Sequence, residues 1–159
     1  MFQCAIMLDT THNEELSMTA PTPTEVAEHL IKISRTVNEE KKLYLKKCGI
    51  AEHEINQDSL AQHPELVSIR KPIIDALDAL TQVQVDQVHA MAIFGRSGSA
   101  TQQGSLKDLY DYFNDEKKSN SRADYRRLLK AKASNLGYYL ENCLDLCEEI
   151  PTDPCEELR

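Results

Sequence analysis

Residues 22–49 read TPTEVAEHLIKISRTVNEEKKLYLKKCG, and they carry a complete helix signal from start to stop. The Thr22 hydroxyl can accept from the amide three residues on. Pro23 takes the first helical position, where no amide hydrogen is missed, and Glu25 can reach back to the Thr22 amide, which completes a capping box. Val26, Leu30, Ile33, Val37 and Tyr44 then follow at spacings of four, three, four and seven, one apolar stripe on a 3.6-residue period. Lys46 and Lys47 suit the negative end of the helix dipole, and Gly49 can adopt a left-handed stop. The spacing predicts a helix of about twenty-five residues.

The same pattern recurs downstream. Residues 50–63 are polar and aperiodic, a long connection with room for a turn of helix. From Pro64 an apolar stripe resumes through Leu66, Ile69, Ile73, Leu77 and Leu80, with a kink or restart expected at Pro72, which lacks an amide hydrogen. Thr81 and Gln84 form a second capping box and open a helix through Val85, Val88, Met91 and Ala92, which Gly95 is expected to end. Gly95 to Gly104 is dense in small and polar residues and reads as a loop. Ser105 opens a helix with Leu106, Leu109, Tyr110 and Phe113. Ser121 opens a long one with Tyr125, Leu129, Leu136, Leu140, Cys143 and Cys147, in which Gly137 marks a close approach or a bend. Pro151 and Pro154 stop helix formation. Strand alternation and fixed-period repeats are absent from the sequence. The expectation is an all-α fold of about five helices in one orthogonal or bundle-like domain over 22–150, with an N-terminal tail over 1–21 and an acidic C-terminal tail over 151–159.

Composition sets outer limits. The chain has 159 residues, 41% of them hydrophobic and 28% charged, with a formal net charge of -8. A chain of this length can bury roughly 70% of its unfolded surface, enough for one self-supporting core. The apolar content excludes disorder throughout, and 5 Gly without a triplet period exclude a collagen-like chain. No apolar run approaches the roughly 18 to 20 residues of a membrane-spanning helix. The first nine residues lack the basic region of a secretion signal. Five cysteines, at 4, 48, 143, 147 and 155, are odd in number and unevenly spread, which suits a reducing compartment. A cytoplasmic protein is expected.

Charge is unevenly placed. Residues 117–132 hold seven Lys or Arg against one Asp, whereas 143–159 hold six acids against one Arg. Arg122, Arg126 and Lys130 are four apart and share a helical stripe, with Arg127 beside it, a geometry that can grip an acidic partner or track phosphates. A solvated face balanced by Asp111, Asp115, Glu116 or the acidic tail is the simpler account. Arg96, between a helix end and the Gly/Ser loop, either caps carbonyls or meets an anion.

Metal and catalytic motifs are weak. Cys143 and Cys147 present two thiols on one face, with Cys155 near in sequence, yet they lie on the apolar stripe as small core residues do. His53-Glu54-Ile55-Asn56-Gln57 starts like a zinc-peptidase motif but offers Gln57 in place of the second His. Asp86 and His89 make one i, i+3 pair, short of a di-iron set, and are expected at the surface. Ser97 and Ser99 lack a nucleophile elbow, and the glycines at 95, 98 and 104 match no phosphate-binding loop. No metal or cofactor is expected.

Ile74-x-x-Leu77-x-x-Leu80 followed by Val88-x-Ala90-Met91-x-Ile93-Phe94-Gly95-Arg96, together with Tyr139-Leu140-Glu141-Asn142-Cys143-Leu144, resembles an uncharacterised family of small bacterial helical proteins. That family's pattern is Leu-x-Ala-Leu-x-Trp-x-Gly-Arg-Gly with a C-terminal Tyr-Leu-x-x-Gly-Leu. The sequence differs at Ile93, Ser97 and Cys143, where the family carries Trp, Gly and Gly. The resemblance implies a bacterial helical domain and draws attention to Gly95 and Arg96. It implies no activity.

The functional expectation is a small cytoplasmic interaction or regulatory protein that binds a protein partner or itself, as a homodimer. Replacing Arg126, Arg127 and Lys130 together with alanine is expected to weaken capture without lowering the melting temperature. The alternatives are nucleic-acid or other anion binding through 117–132, disfavoured by net charge, and an enzyme with a cryptic site near Arg96, Ser97, Tyr138 and Tyr139.

Overall fold

The computed structural model of the chain describes residues 19–97, 104–120 and 124–159, with 57–59 described in their backbone only. The described residues are all-α. Among the described residues eight helices occur, in the order α1 (Pro23–Cys48), α2 (Gln57–Gln62), α3 (Pro64–Asp78), α4 (Gln82–Ser97), α5 (Leu106–Ser119), α6 (Tyr125–Ala131), α7 (Ala133–Glu149) and α8 (Pro154–Glu157), with a 3₁₀ turn at Glu52–Glu54. The count is larger than five for three reasons: the connection after α1 folds, the long C-terminal helix divides at Lys132, and residues 154–157 form a turn of their own.

The capping signals act as their chemistry dictates. Thr22 Oγ1 accepts from the Glu25 amide at 3.2 Å while Glu25 returns a carboxylate to the Thr22 amide at 2.7 Å. Thr81 with Gln84 and Ser105 with Asp108 make the same reciprocal pairs. Gly49 closes α1 at φ 67, the left-handed region where a side chain is strained. Ser121 lies outside the described residues. α6 is capped by Asp124, whose carboxylate accepts from the Arg127 amide at 3.1 Å.

Three expectations about helix ends are corrected. Pro72 sits inside α3, which runs unbroken from Pro64 to Asp78, so the helix does not restart there, and Ile73 and Leu77 continue the buried stripe beyond it. Gly95 does not end α4, which runs on to Ser97. Its role is steric: a Cβ built there would lie 1.8 Å from the Tyr139 carbonyl oxygen, so only glycine lets α4 and α7 cross this closely. The C-terminal residues are not a tail. Asp153 caps α8, Leu158 is 1% exposed within the core, its carbonyl accepts from Gln87 Nε2 at 3.0 Å, and Glu157 accepts from the Lys107 amide at 2.9 Å.

α7 forms the axis of the molecule, with α1 packed on one flank and α4 on another, while α3 lies along α1 and α5 along α4. Leu30, Ile73, Leu77, Val85, Phe94 and Leu140 belong to one apolar cluster that joins these helices. Gly137 faces Ser34, where an added Cβ would meet Ser34 Cβ at 2.7 Å, so the glycine marks a close approach of α1 and α7.

Candidate functional site

The expected basic stripe is largely turned inward. Arg126 donates from Nη1 to the carbonyls of Leu77 and Asp78, the latter at 3.1 Å, and from Nη2 to Leu80 at 2.9 Å. Lys130, one turn on, pairs with the Asp78 carboxylate. The four-residue spacing thus delivers two cations to the C-terminus of α3, whose last carbonyls have no partner within their own helix and carry the negative end of its dipole. Arg127 is exposed on the neighbouring side of α6, next to Leu128 at 40% exposure. Arg122 lies outside the described residues. Elsewhere in the 117–132 stretch, Lys117 pairs with Asp86 and Lys118 with Asp115.

Arg96 is exposed on the last turn of α4. The Ile93 carbonyl there accepts from the Ser97 hydroxyl at 3.1 Å. Burial lowers the pKa of Lys132, and the charge of Arg96 lowers it further. Tyr138 is exposed and its ring is tilted against Tyr139 at 6.1 Å. Ser99 is outside the described residues.

Asp86 and His89, expected at the surface, are buried at 7% and 4% exposure. α4 is covered by α5 and α6 on this side, so the i, i+3 pair faces neighbouring helices. The Asp86 carboxylate receives Lys117 Nζ at 2.8 and 3.0 Å and Gln82 Nε2 at 3.0 Å, a paired charge of the kind an interior can hold. His89 is stacked on Tyr125, with ring centroids 4.1 Å apart and planes 6° from parallel, and meets Phe113 edge-on at 4.6 Å. Burial pushes the His89 imidazole down to about 4, and the Lys132 charge pushes the same way while Glu116 and Asp86 oppose it. The Tyr125 hydroxyl is shared between Glu116 Oε2 at 2.7 Å and the Phe113 carbonyl at 3.1 Å. Burial and this carboxylate raise the Tyr125 phenol. The cluster joins α4, α5 and α6 by ring stacking and paired charge. Cys143 and Cys147 are both buried, and the thiol contact between them together with burial raises Cys143.

A second feature has no counterpart in the expectations. Between α1, α3 and the α6–α7 junction, and bordered by the residues that follow α1, lies a cavity of about 300 Å³. Its polar lining includes Asn38, Lys41, Arg70 and Ser134. Asn38 Nδ2 donates to the Ser134 carbonyl at 3.4 Å and Lys41 Nζ reaches Glu52 at 3.2 Å. Arg70 donates from Nη2 to the Lys130 carbonyl, yet its Nε is buried without an acceptor. Among the described residues it is the one buried side-chain nitrogen or oxygen left unpaired.

No family model, curated protein or solved structure matches the chain.

Proposed function

We propose that this chain is a small interaction or regulatory protein that acts by binding rather than by turning over a substrate, and that the cavity beside Arg70 is its ligand site. The odd, scattered cysteines support a cytoplasmic setting. The observation that carries the reading is a preformed cavity lined by Arg70, a residue whose Nε is buried behind that wall without an acceptor, since buried polar groups in folded proteins are otherwise almost always satisfied. The groups best suited to chemistry have structural partners instead: Asp86 holds Lys117, His89 is packed between rings, and Arg126 caps α3.

The test is a fragment titration of the isotope-labelled chain followed by nuclear magnetic resonance. The reading predicts amide shifts concentrated at 37–41, 69–73 and 131–134. Shifts scattered over the surface, or none with any fragment, contradict it.

A second reading concerns a macromolecular partner or a second copy of the chain. Arg127 and Leu128, exposed side by side on α6, support capture of an acidic protein surface. Arg127→Glu should then abolish capture while leaving the melting temperature in place. Nucleic acid is less well served by this face, because Lys117, Lys118, Arg126 and Lys130 would first have to leave their present partners.

A further inference from the structure

Two cations stand in core register on facing helices. In α1, Val37, Lys41 and Leu45 are spaced by four, and Val37 and Leu45 are buried. In α3, Leu66, Arg70, Ile73 and Leu77 repeat at four, three and four, and all but Arg70 are buried. An apolar residue at either position would have continued the stripe. Both side chains instead line the same cavity, together with Val37, Ile69 and Ile73. In a chain of net charge -8, the described lining holds two cations and no carboxylate. Lys41 reaches outward to Glu52, which is itself exposed, and among the described residues no carboxylate lies within ion-pair distance of Arg70.

Resting on the ligand-cavity reading and going one step deeper, we infer that the ligand is a small apolar carboxylate, its charged end toward Arg70 and Lys41 and its hydrocarbon against Val37, Ile69 and Ile73. Charge complementarity selects an anion, and the apolar wall selects one with a hydrocarbon body, which inorganic phosphate lacks. The volume selects the size. At about 300 Å³ the cavity is at the small end of ligand pockets, so it suits a short-chain or single-ring acid and not a nucleotide. A carboxylate supplies the anionic partner that Arg70 lacks among the described residues, where its guanidinium meets only the Lys130 carbonyl. Nε is closed to solvent where it stands, so the acid can reach it only if the guanidinium turns toward the void.

The experiment titrates octanoate and benzoate, with octanol and benzyl alcohol as neutral counterparts, into the full chain by calorimetry. Wild type is compared with Arg70→Met and Lys41→Met, each checked for an unchanged helical spectrum. The acids should bind wild type at least about tenfold more tightly than the alcohols, and Arg70→Met should erase about that tenfold while leaving the alcohols unaffected. The Arg70 Nε–H resonance of wild type should shift as octanoate is added, a readout that survives even if Arg70→Met fails to fold. Equal affinity for acids and alcohols, or acid binding indifferent to Arg70→Met with a stationary Nε–H resonance, overturns the carboxylate inference and leaves the ligand cavity standing. Binding of neither acids nor alcohols overturns both.

Discussion

At the scale of single residues, two positions carry consequences out of proportion to their size. Gly95 is hydrogen where any other residue has carbon, and the atom an added Cβ would strike is the backbone oxygen of Tyr139, which cannot swing aside. Gly95→Ala should therefore force α4 and α7 apart and cost about 3 kcal/mol, read as a lower midpoint in denaturant unfolding. An unchanged midpoint would show that the crossing is looser than described. His89 gives a pH signature. Its folded pKa of about 4 lies below the usual value of 6.5, so the unfolded chain binds the extra proton between them. Stability contributed by neutral His89 is complete above 6.5 and is lost as the pH falls from 6.5 to about 4, by about 3 kcal/mol. His89→Phe, which keeps a ring on Tyr125, should remove that part of the slope when melting is followed across this range. Retention of the full slope would assign it to other groups.

At the scale of elements, the ends of helices determine how neighbours are held. Arg126 serves three carbonyls at the end of α3, and Arg126→Ala should cost about 2 kcal/mol, while the exposed Arg127→Ala stays within about 0.5 kcal/mol. The triple alanine replacement of Arg126, Arg127 and Lys130 should accordingly lower the melting temperature, in contrast to the expectation drawn from the stripe alone. Lys130 adds to the loss through Asp78. α8 is a four-residue turn that cannot persist by itself, and Leu158 ties it to the core. Leu158→Ala should cost about 3 kcal/mol and expose Cys155 and the end of α8 to faster amide exchange, measurable by mass spectrometry. Unaltered exchange there would mean that the contacts of Gln87 and Lys107 suffice.

At the scale of the whole molecule, what could be read in advance was local. Capping boxes at Thr22, Thr81 and Ser105 need only residues three apart, and the all-α class follows from stripes within single helices. What could not be read was which surface each helix turns to which neighbour. The Arg126 stripe was visible, but not that α3 ends opposite it. Gly95 carries an ambiguous signal, since a glycine near the end of a helix suits a stop as well as a crossing. Asp86 and His89 looked like surface residues until α5 and α6 covered them. The cavity had one legible trace, the cations at 41 and 70 interrupting otherwise apolar registers, hidden because Lys and Arg on a helix are ordinarily solvent-facing.

Those two cations, as proposed above, hold a ligand. Native mass spectrometry of the chain, purified gently from its own cells, tests it most directly when wild type and Arg70→Met are compared. Wild type should retain a small organic acid at one per chain, released on denaturation and lost in Arg70→Met. A wild-type chain that carries no small molecule, or one retained equally by Arg70→Met, would contradict it.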